Sequence, residues 1–242
     1  MTLTVSDLNY DYGRQPVLKH VNLSLLSGFN LLLGPNGAGK STLFSLLTGL
    51  YISQKGQIAY GGLDLIEHPR AVRALLGVVF QQSTLDLDLT VKQNLIYHAS
   101  LHGLSASQAL ENIGDILADL KLSQRLNDRV RTLNGGHRRR LEIARALMHQ
   151  PKYLLLDEPT VGLDNESRQL IISHIRKLAH VRGICVVWTT HLMDEVSDMD
   201  NLIVLNRGEV KAQGICEQLC RHHGVEHVYQ LYHILTDSAE IM

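Results

Sequence analysis

Residues 34–42 of the chain read Gly34-Pro35-Asn36-Gly37-Ala38-Gly39-Lys40-Ser41-Thr42. This segment matches the phosphate-binding pattern G-x-x-x-x-G-K-[ST] at every fixed position. Glycines in such a turn allow backbone N–H groups to approach phosphate oxygens that a Cβ atom would obstruct. The pattern therefore predicts a loop that wraps around a polyphosphate.

The residues on both sides of this loop fit the strand, loop and helix order that the pattern requires. Residues 31–33 are consecutive leucines that predict a buried strand, and residues 43–47 continue as a helix. The N-terminus of that helix directs a partial positive charge at the phosphates. We expect Lys40 to contact the β- and γ-phosphates of a nucleotide and the Ser41 hydroxyl to bind Mg²⁺.

The composition excludes several other classes of protein. The 242 residues suffice for one or two domains, and 23 basic against 24 acidic side chains give no basic field that would indicate a nucleic-acid partner. Three cysteines cannot form an even set of disulfides, which suits a reducing compartment. No apolar run approaches the roughly 18 residues of a membrane span, and the polar N-terminus does not resemble a signal peptide, so we expect a soluble chain.

The N-terminal region reads as an antiparallel hairpin. Residues 3–12 and 17–26 are strand-like, and residues 13–16 between them form a Gly- and Pro-containing turn. Tyr12, beside this turn, is a candidate for stacking on a purine base, because an aromatic face accepts a base without hydrogen bonds. An ordinary strand position for Tyr12, or stacking by Tyr10 instead, are the alternatives.

A polar pair follows the next predicted strands, at residues 56–60 and 78–80. The second strand delivers Gln81 and Gln82 at its C-terminal end, and ligands of open α/β sheets bind at those ends. A neutral amide there can bind Mg²⁺ or orient water without adding charge. We favour Gln81 over Gln82, and a solvated loop amide is the alternative for either.

Residues 85–131 change to a helical pattern. Two capping boxes and a stripe of apolar residues at helical spacing support this interpretation. The boxes are Thr90 with Gln93 and Ser105 with Gln108, and the stripe is Leu110, Ile113, Leu117 and Leu120. The pattern predicts a helical insertion between strands of the sheet, which can serve as a docking arm.

A second glycine turn follows this insertion. Asn134, Gly135 and Gly136 precede a predicted helix that Pro151 terminates. A Gly-Gly turn at a helix N-terminus is a second potential phosphate site, and Asn134 can donate from its amide and also cap the helix. A plain turn is the alternative. The apolar side of the helix is Leu141, Ala144, Leu147 and Met148.

Two carboxylates end the apolar strand predicted at residues 153–157. Asp157 at the strand end suits a Mg²⁺ ligand, and Glu158 suits the base that orients or deprotonates an attacking water. Caps for a following helix are the alternative role of this acidic pair. Asp164 then lies in a tight turn and is expected to order the next helix or to contact a neighbouring subunit.

His191 follows a further buried strand, predicted at residues 184–188. It emerges at the same edge of the sheet as Gly34 and Asp157, where an imidazole can contact a γ-phosphate. Three strands therefore converge on one predicted site. The tail after Gly214 is rich in Cys and His, but the spacing matches no familiar zinc pattern, so we predict no metal cluster there.

In this order, the motifs resemble the nucleotide-binding subunit of ATP-binding cassette (ABC) transporters over essentially the whole chain. The resemblance implies that residues 34–42 form the Walker A loop, that Asp157 ends Walker B and that Glu158 is the catalytic glutamate. Gln81 is then the Q-loop residue and His191 the switch histidine. Two further roles follow from the resemblance: the adenine-stacking A-loop residue is Tyr12, and the D-loop aspartate is Asp164.

The fold implied by the resemblance is an α/β P-loop NTPase sheet with an antiparallel N-terminal subdomain and a helical insertion subdomain. The nucleotide-binding core would comprise residues 1–84 and 151–213. Residues 85–150 would form the helical subdomain, which contains the turn of Asn134, Gly135 and Gly136, called the signature turn below. Residues 214–242 would form a C-terminal tail.

The implied function is hydrolysis of Mg-ATP between two head-to-tail nucleotide domains, in a dimer of like chains. The sequences of residues 80–82, 89–95 and 101–103 resemble those of the drug-exporter subgroup. The sequence of residues 133–140 resembles a subset of that subgroup, which is associated with quinone-cofactor-dependent alcohol oxidation. We therefore expect a separate membrane permease as partner, export as the direction of transport, and a location on the cytoplasmic face of the plasma membrane through that permease.

Two other functions stay open at this point. One is a soluble ABC-type ATPase that remodels a protein assembly, and the other is a module that binds ATP as a structural switch without turnover. The intact Glu158 argues against the second. The signature departs from the usual L-S-G-G-Q, with Asn134 in place of Ser and His137 in place of Gln.

Overall fold

The computed structural model describes residues 1–13, 15–53 and 55–236. Arg14 of the predicted hairpin turn and residues 237–242 of the predicted tail lie outside the described residues. Along the described chain, runs of one to three strands alternate with runs of one to three helices. The strands are β1 (Thr2–Asp11), β2 (Pro16–Leu26), β3 (Gly28–Leu33), β4 (Lys55–Tyr60), β5 (Leu63–Asp64), β6 (Leu76–Val79), β7 (Tyr153–Asp157), β8 (Cys185–Thr190), β9 (Asn201–Asn206) and β10 (Glu209–Ile215).

The helices lie between these strands and at the C-terminal end of the described part. They are α1 (Lys40–Leu47), α2 (Pro69–Leu75), α3 (Val91–Leu101), α4 (Ala106–Asp119), α5 (Gly135–Leu147), α6 (Asn165–Arg182), α7 (Cys216–His222) and α8 (Val228–Thr236). Short 3₁₀ turns lie between α4 and α5, at Ser123–Arg125 and Val130–Thr132, and between β8 and β9, at Met193–Glu195. In the part of the chain that the structure describes, no helix combines the length and the apolar character needed to cross a bilayer.

The first sheet is antiparallel and has the strand order β2-β1-β4-β5. The predicted N-terminal hairpin is confirmed, since β1 pairs with β2 from Thr2 opposite Leu26 to Asp11 opposite Pro16. Leu3 and Val5 of β1 and Leu23 and Leu25 of β2 are buried and alternate with more exposed neighbours. This period of two gives the sheet one apolar face, which packs against α1 and the second sheet.

The second sheet has the order β10-β9-β3-β8-β7-β6, in which only β10 is antiparallel to its neighbour. Every residue of β7 and β8 is buried, as expected for strands covered on both faces. The α/β class and the antiparallel N-terminal unit predicted from the sequence are thereby confirmed. The carboxyl ends of β3, β6, β7 and β8 lie along one edge of this sheet, since these strands run parallel.

Two predicted strand boundaries were wrong. Strand β6 covers Leu76–Val79 instead of residues 78–80, and β8 continues through Thr190 instead of ending at residue 188. Thr189 pairs with Asp157 of β7, and Thr190 pairs with Leu33 of β3. Because threonine is β-branched, it fits a strand despite its hydroxyl, and pairing on both sides extends β8 by two residues.

The predicted helical insertion is built by α3 and α4. Both helices start at the predicted capping boxes, where Thr90 and Ser105 accept hydrogen bonds from the backbone N–H groups of Gln93 and Gln108. The apolar stripe of α4 is buried apart from half-buried Leu110. It packs in one core with α5 and with the second sheet, and this core includes the four apolar residues predicted for α5.

The cysteines of the C-terminal region lie inside the protein. Cys216 and Cys220 are buried on α7, and both are free thiols. Burial raises the pKa of the Cys216 thiol to about 12. Within residues 1–13, 15–53 and 55–236, no three His, Cys, Asp or Glu side chains are arranged to hold a metal ion.

Candidate nucleotide-binding and catalytic site

The phosphate loop lies where the sequence placed it, between the end of β3 at Leu33 and the start of α1 at Lys40. Its tip, Asn36 and Gly37, is exposed, whereas its base is buried. Gly34 packs so closely on β9 that a Cβ atom would lie 2.3 Å from the carbonyl oxygen of Leu205. A side chain at this position would therefore push the loop away from the sheet.

Lys40 places a buried ammonium group inside the loop. Its side chain is 6% exposed, and its Nζ donates to the carbonyl oxygens of Gly34 at 2.6 Å and Pro35 at 3.1 Å. Burial lowers the pKa of Lys40, while the charges of Glu158 and Asp157 act in the opposite direction. The ammonium thus holds the loop in its curved form from within, and phosphate oxygens are stronger partners for it than neutral carbonyls.

Glu158 is the point at which the predicted catalytic residues meet. One of its carboxylate oxygens accepts a hydrogen bond from Gln81 Nε2 at 3.2 Å. The other lies 3.0 Å from His191 Nδ1 and 4.0 Å from Lys40 Nζ. Strands β6, β7 and β8 and the phosphate loop therefore bring together four residues that are up to 151 positions apart, from Lys40 to His191.

The backbone of Glu158 is left-handed, with φ 43°, which is uncommon for a residue with a side chain. Its N–H donates to the carbonyl oxygen of Thr189 at 3.2 Å and to the Thr189 hydroxyl at 2.9 Å. Strained backbone of this kind costs about 1–3 kcal/mol and persists where surrounding contacts fix it. The bonds to β8 thus hold the carboxylate of Glu158 in front of the loop.

Thr189 also fixes the second carboxylate. Its hydroxyl donates to Asp157 Oδ1 at 2.6 Å while accepting from the N–H of Glu158. Burial raises the pKa of Asp157, and the hydrogen bond from Thr189 opposes that rise. We did not predict a role for Thr189, although its hydroxyl lies two residues before His191, and this position in the sequence was the available signal.

The oxygen atoms that face this edge suit a hard cation. Ser41 is exposed in the first turn of α1, Asp157 ends β7 with its carboxylate beside the buried ammonium, and Gln81 follows β6. Hydroxyl, carboxylate and amide oxygens are the ligands that Mg²⁺ prefers, together with phosphates and water. The donor set present therefore fits Mg²⁺ bound with a nucleotide.

Tyr12 lies beside the phosphate loop. It is 60% exposed, and its hydroxyl is 3.2 Å from the Thr42 hydroxyl at the start of α1. The competing Tyr10 is half-buried and lies flat on Tyr51, with ring centroids 5.7 Å apart, so one face of its ring is covered. The geometry therefore favours Tyr12 as the platform for a base.

The signature turn and the turn before α6 lie against each other. Asn134 caps α5 by accepting from the His137 N–H at 2.8 Å, and Asp164 caps α6 by accepting from the Ser167 N–H at 2.8 Å. Gly136 is so close to Ser167 that a Cβ atom would lie 2.5 Å from its hydroxyl oxygen. The predicted capping roles of Asn134 and Asp164 are confirmed.

This pair of turns does not belong to the cluster around Glu158. In the described residues, Asn134, Gly135, Gly136 and Asp164 make no hydrogen bond or ion pair with residues 34–42. The exposed Asn134 and Gly135 form a separate polar surface at a helix N-terminus. Within the described residues of one copy, the signature turn and the phosphate loop are thus two separate surfaces.

Comparison with known proteins adds an independent observation. A family model described as ABC transporter matches residues 18–161. The linearmycin resistance ATP-binding protein LnrL of Bacillus subtilis (strain 168) is 35% identical over 231 residues, covering 95% of this chain and 74% of that protein. The Nod factor export ATP-binding protein I of Rhizobium meliloti (strain 1021) is 37% identical over 216 residues, covering 88% of this chain and 64% of that protein.

Solved structures share the whole fold. The structure of an ATP-binding subunit of an ABC transporter superposes with a TM-score of 0.86 at 26% identity, covering 97% of this chain and 99% of that one. A dimeric ATP-binding cassette in a post-hydrolysis state, bound to ADP and phosphate, superposes with a TM-score of 0.77 at 26% identity. It covers 88% of this chain and 98% of that one.

Proposed function

Because this chain belongs to the ABC transporter family of ATP-binding domains, we propose that it hydrolyses Mg-ATP in a head-to-tail dimer of like chains and energises a separate membrane permease. ATP binding and hydrolysis are the activity of this family. The observation that carries the assignment of the site is the contact of Gln81, His191 and Lys40 with one carboxylate, that of Glu158.

In the proposed reaction, the backbone N–H groups of residues 36–40 and the Lys40 ammonium bind the phosphates. The Glu158 carboxylate accepts a proton from the attacking water as the water oxygen bonds to the γ-phosphorus, while the bond from that phosphorus to the oxygen of the leaving ADP breaks. Gln81 and His191 hold that carboxylate in place, and each can turn to the phosphate or the water once a nucleotide is bound. Tyr12 stacks on the base.

We assign the Mg²⁺ site to Ser41, Asp157 and Gln81. Mg²⁺ bound with ATP neutralises part of the phosphate charge. Asp157 contributes a carboxylate that Thr189 orients from one side. The hydroxyl of Ser41 and the amide oxygen of Gln81 are neutral ligands, so they add no negative charge to the site.

The division of the chain follows from the elements that build the site. We assign residues 1–84 and 151–213 to the nucleotide-binding core, residues 85–150 to the helical subdomain and residues 214–242 to a tail. Within the helical subdomain, α3 exposes Tyr97 and Leu101 at 64% and 65%. Exposed large apolar side chains on a helical arm suit a protein partner, and we propose that the permease docks on this subdomain.

Export across the plasma membrane is the proposed direction of transport. The two relatives above are named for resistance and for export. With a permease as partner, the chain would bind at the cytoplasmic face of the membrane, where ATP is available. The relatives do not favour the alternative of a protein-assembly ATPase. Co-purification of the tagged chain with a permease encoded beside it tests the proposal, and purification with a soluble scaffold instead would support the alternative.

The first prediction concerns the dimer. Since the signature turn lies apart from the phosphate loop of its own chain, we expect ATP to bring the turn of a second copy onto the site. The Glu158→Gln variant should be a monomer without nucleotide and a dimer with Mg-ATP, as measured by light scattering. The matched control is the double variant with Lys40→Ala, which should stay monomeric. A constant monomer with ATP at high concentration would contradict the sandwich arrangement.

The second prediction concerns the altered signature. Asn134 uses Oδ1 as the cap of α5, which leaves its amide N–H to donate to a γ-phosphate of the partner's ATP. Asn134→Asp keeps the size and the cap but places a carboxylate against phosphate. Loss of one hydrogen bond to a charged group costs about 1.5–3 kcal/mol, or roughly ten- to a hundredfold in rate, and repulsion adds to that.

Steady-state ATPase assays check this prediction, with the permease present where it can be obtained. Asn134→Ser is the matched control, because serine retains a donor and a cap, and its rate should stay close to that of the wild type. If Asn134→Asp hydrolysed ATP as fast as the wild type, the signature turn would not face a phosphate.

A further inference from the structure

One face of α5 holds the backbone of residues 80–84, here called the Q-segment. Arg139 is 9% exposed, and its guanidinium donates to the carbonyl oxygens of Phe80 at 2.6 Å and Gln81 at 2.8 Å. A planar guanidinium that binds two successive carbonyl oxygens fixes both the position and the orientation of the peptide between them. The backbone of Gln81 is therefore tied to α5.

The far end of the Q-segment is held by the same helix face. Glu142 accepts from Arg139 at 2.8 Å with one oxygen and from the N–H of Thr84 at 2.9 Å with the other. One helical turn further, Arg145 donates to the Thr84 carbonyl oxygen at 3.0 Å and to the Thr84 hydroxyl. The spacing of three residues puts Arg139, Glu142 and Arg145 on one side of α5.

The Arg139–Glu142 pair is buried, with 10% and 4% of the two side chains exposed. Burial of such a pair costs stability unless the remaining donors and acceptors are also satisfied. Here they are satisfied by backbone atoms of the Q-segment, so the pair is most stable when that segment lies against α5. The segment and the helix consequently move together.

A continuous series of contacts joins the signature turn to Glu158 beside the phosphate loop. The signature turn begins α5 at Asn134, α5 holds the Gln81 backbone through Arg139, and the Gln81 side chain donates to Glu158 at 3.2 Å. A displacement of the signature turn against the core shifts the amide of Gln81 relative to the catalytic carboxylate.

We propose that Arg139 and Glu142 are positioning residues for ATP hydrolysis. They set the position of Gln81 at the site according to the position of α5, the helix that starts at the signature turn. The inference rests on the proposed function, ATP hydrolysis at Glu158. Arg139 and Glu142 contact neither the nucleotide nor the attacking water in the proposed reaction, and they act on it through Gln81. Misplacement of a catalytic group by about 1 Å can cost roughly a hundredfold in rate.

The test is a double-mutant cycle on the full chain, with kcat, the Kd for ATP and the Tm measured for each variant. The double variant Arg139→Met with Glu142→Gln removes both buried charges together, and its glutamine can still accept from Thr84 N–H, so the fold is retained. We expect kcat to fall roughly ten- to a hundredfold with the Kd for ATP unchanged. In a Gln81→Ala background, the same double change should alter kcat by less than about twofold.

Two further variants separate positioning from folding. Arg138→Met is the matched control on the same helix, because the Arg138 guanidinium donates to the Arg131 carbonyl oxygen and does not contact the Q-segment. It should leave kcat at the wild-type value. Arg139→Lys keeps the charge beside Glu142, and its kcat should lie between those of the wild type and the double variant.

Two results would overturn the inference. One is a wild-type kcat in the double variant, and the other is an equal loss of kcat with and without Gln81, since residues that act through Gln81 cannot act in its absence. An inactive wild-type chain that binds ATP would be a different result. It would overturn the proposed function, and the inference with it.

Discussion

Glu158→Gln should lower the rate of ATP hydrolysis by roughly a hundred- to ten-thousandfold while the protein still binds ATP. The glutamine side chain has the size of the glutamate and leaves the left-handed backbone at this position unchanged. Its amide can keep contacts with Gln81 and His191, but it cannot accept a proton from water. Removal of a negative charge 4.0 Å from Lys40 Nζ also reduces repulsion of the phosphates, so affinity for ATP should not decrease.

The measurements are steady-state phosphate release and equilibrium binding of a fluorescent ATP analogue. Glu217→Gln is the matched control, because Glu217 lies on α7 and pairs with Arg221 at the surface, where an ion pair contributes little. That variant should turn over like the wild type. Turnover at the wild-type rate by Glu158→Gln would show that another group accepts the proton.

Much of the fold could be predicted because its local signals agree with one another. The glycine pattern before Lys40, with a leucine strand on one side and a helix on the other, placed β3 and α1. The capping boxes at Thr90 and Ser105 predicted the start of α3 and α4, since a cap is a contact between residues three positions apart. Such short-range chemistry is visible in the sequence.

Contacts between side chains that are distant in the sequence could be predicted only where a general rule of sheet structure applies. Parallel strands bring their carboxyl ends to one edge, which placed Gln81, Glu158 and His191 together. No rule of that kind describes how a loop backbone is held. The bonds from Arg139 to the Q-segment depend on the angle at which α5 crosses the sheet, which is set by packing of the shared core.

The role of Thr189 was missed for a related reason. The strand predicted at residues 184–188 left Thr189 outside it, whereas two neighbouring strands pair with β8 and extend it. Only within that sheet does its hydroxyl lie between the carboxylate of Asp157 and the N–H of Glu158. Its function follows from strand register, and register follows from partners that are not adjacent in the chain.

Lys40→Ala should abolish detectable ATP binding and, with it, hydrolysis. The ammonium is buried inside the phosphate loop and is the cation nearest to Asp157 and Glu158 in the site. Its removal deletes charge-assisted bonds worth about 1.5–3 kcal/mol each, so the Kd for ATP should rise by roughly ten- to a hundredfold for each bond lost. Asp157 and Glu158 would then face the phosphates without the Lys40 ammonium, which weakens binding further.

Isothermal titration with Mg-ATP measures this effect. Lys177 lies on α6 and forms an exposed ion pair with Asp119 of α4. The Lys177→Ala variant, which lacks this cation, is the control and should bind ATP like the wild type. The Tm separates loss of binding from loss of fold, because Lys40 also holds the loop through the Gly34 and Pro35 carbonyl oxygens. If a folded Lys40→Ala variant bound Mg-ATP with the wild-type Kd, the loop would not present its ammonium to the phosphates, and the nucleotide would be held chiefly through its base at Tyr12.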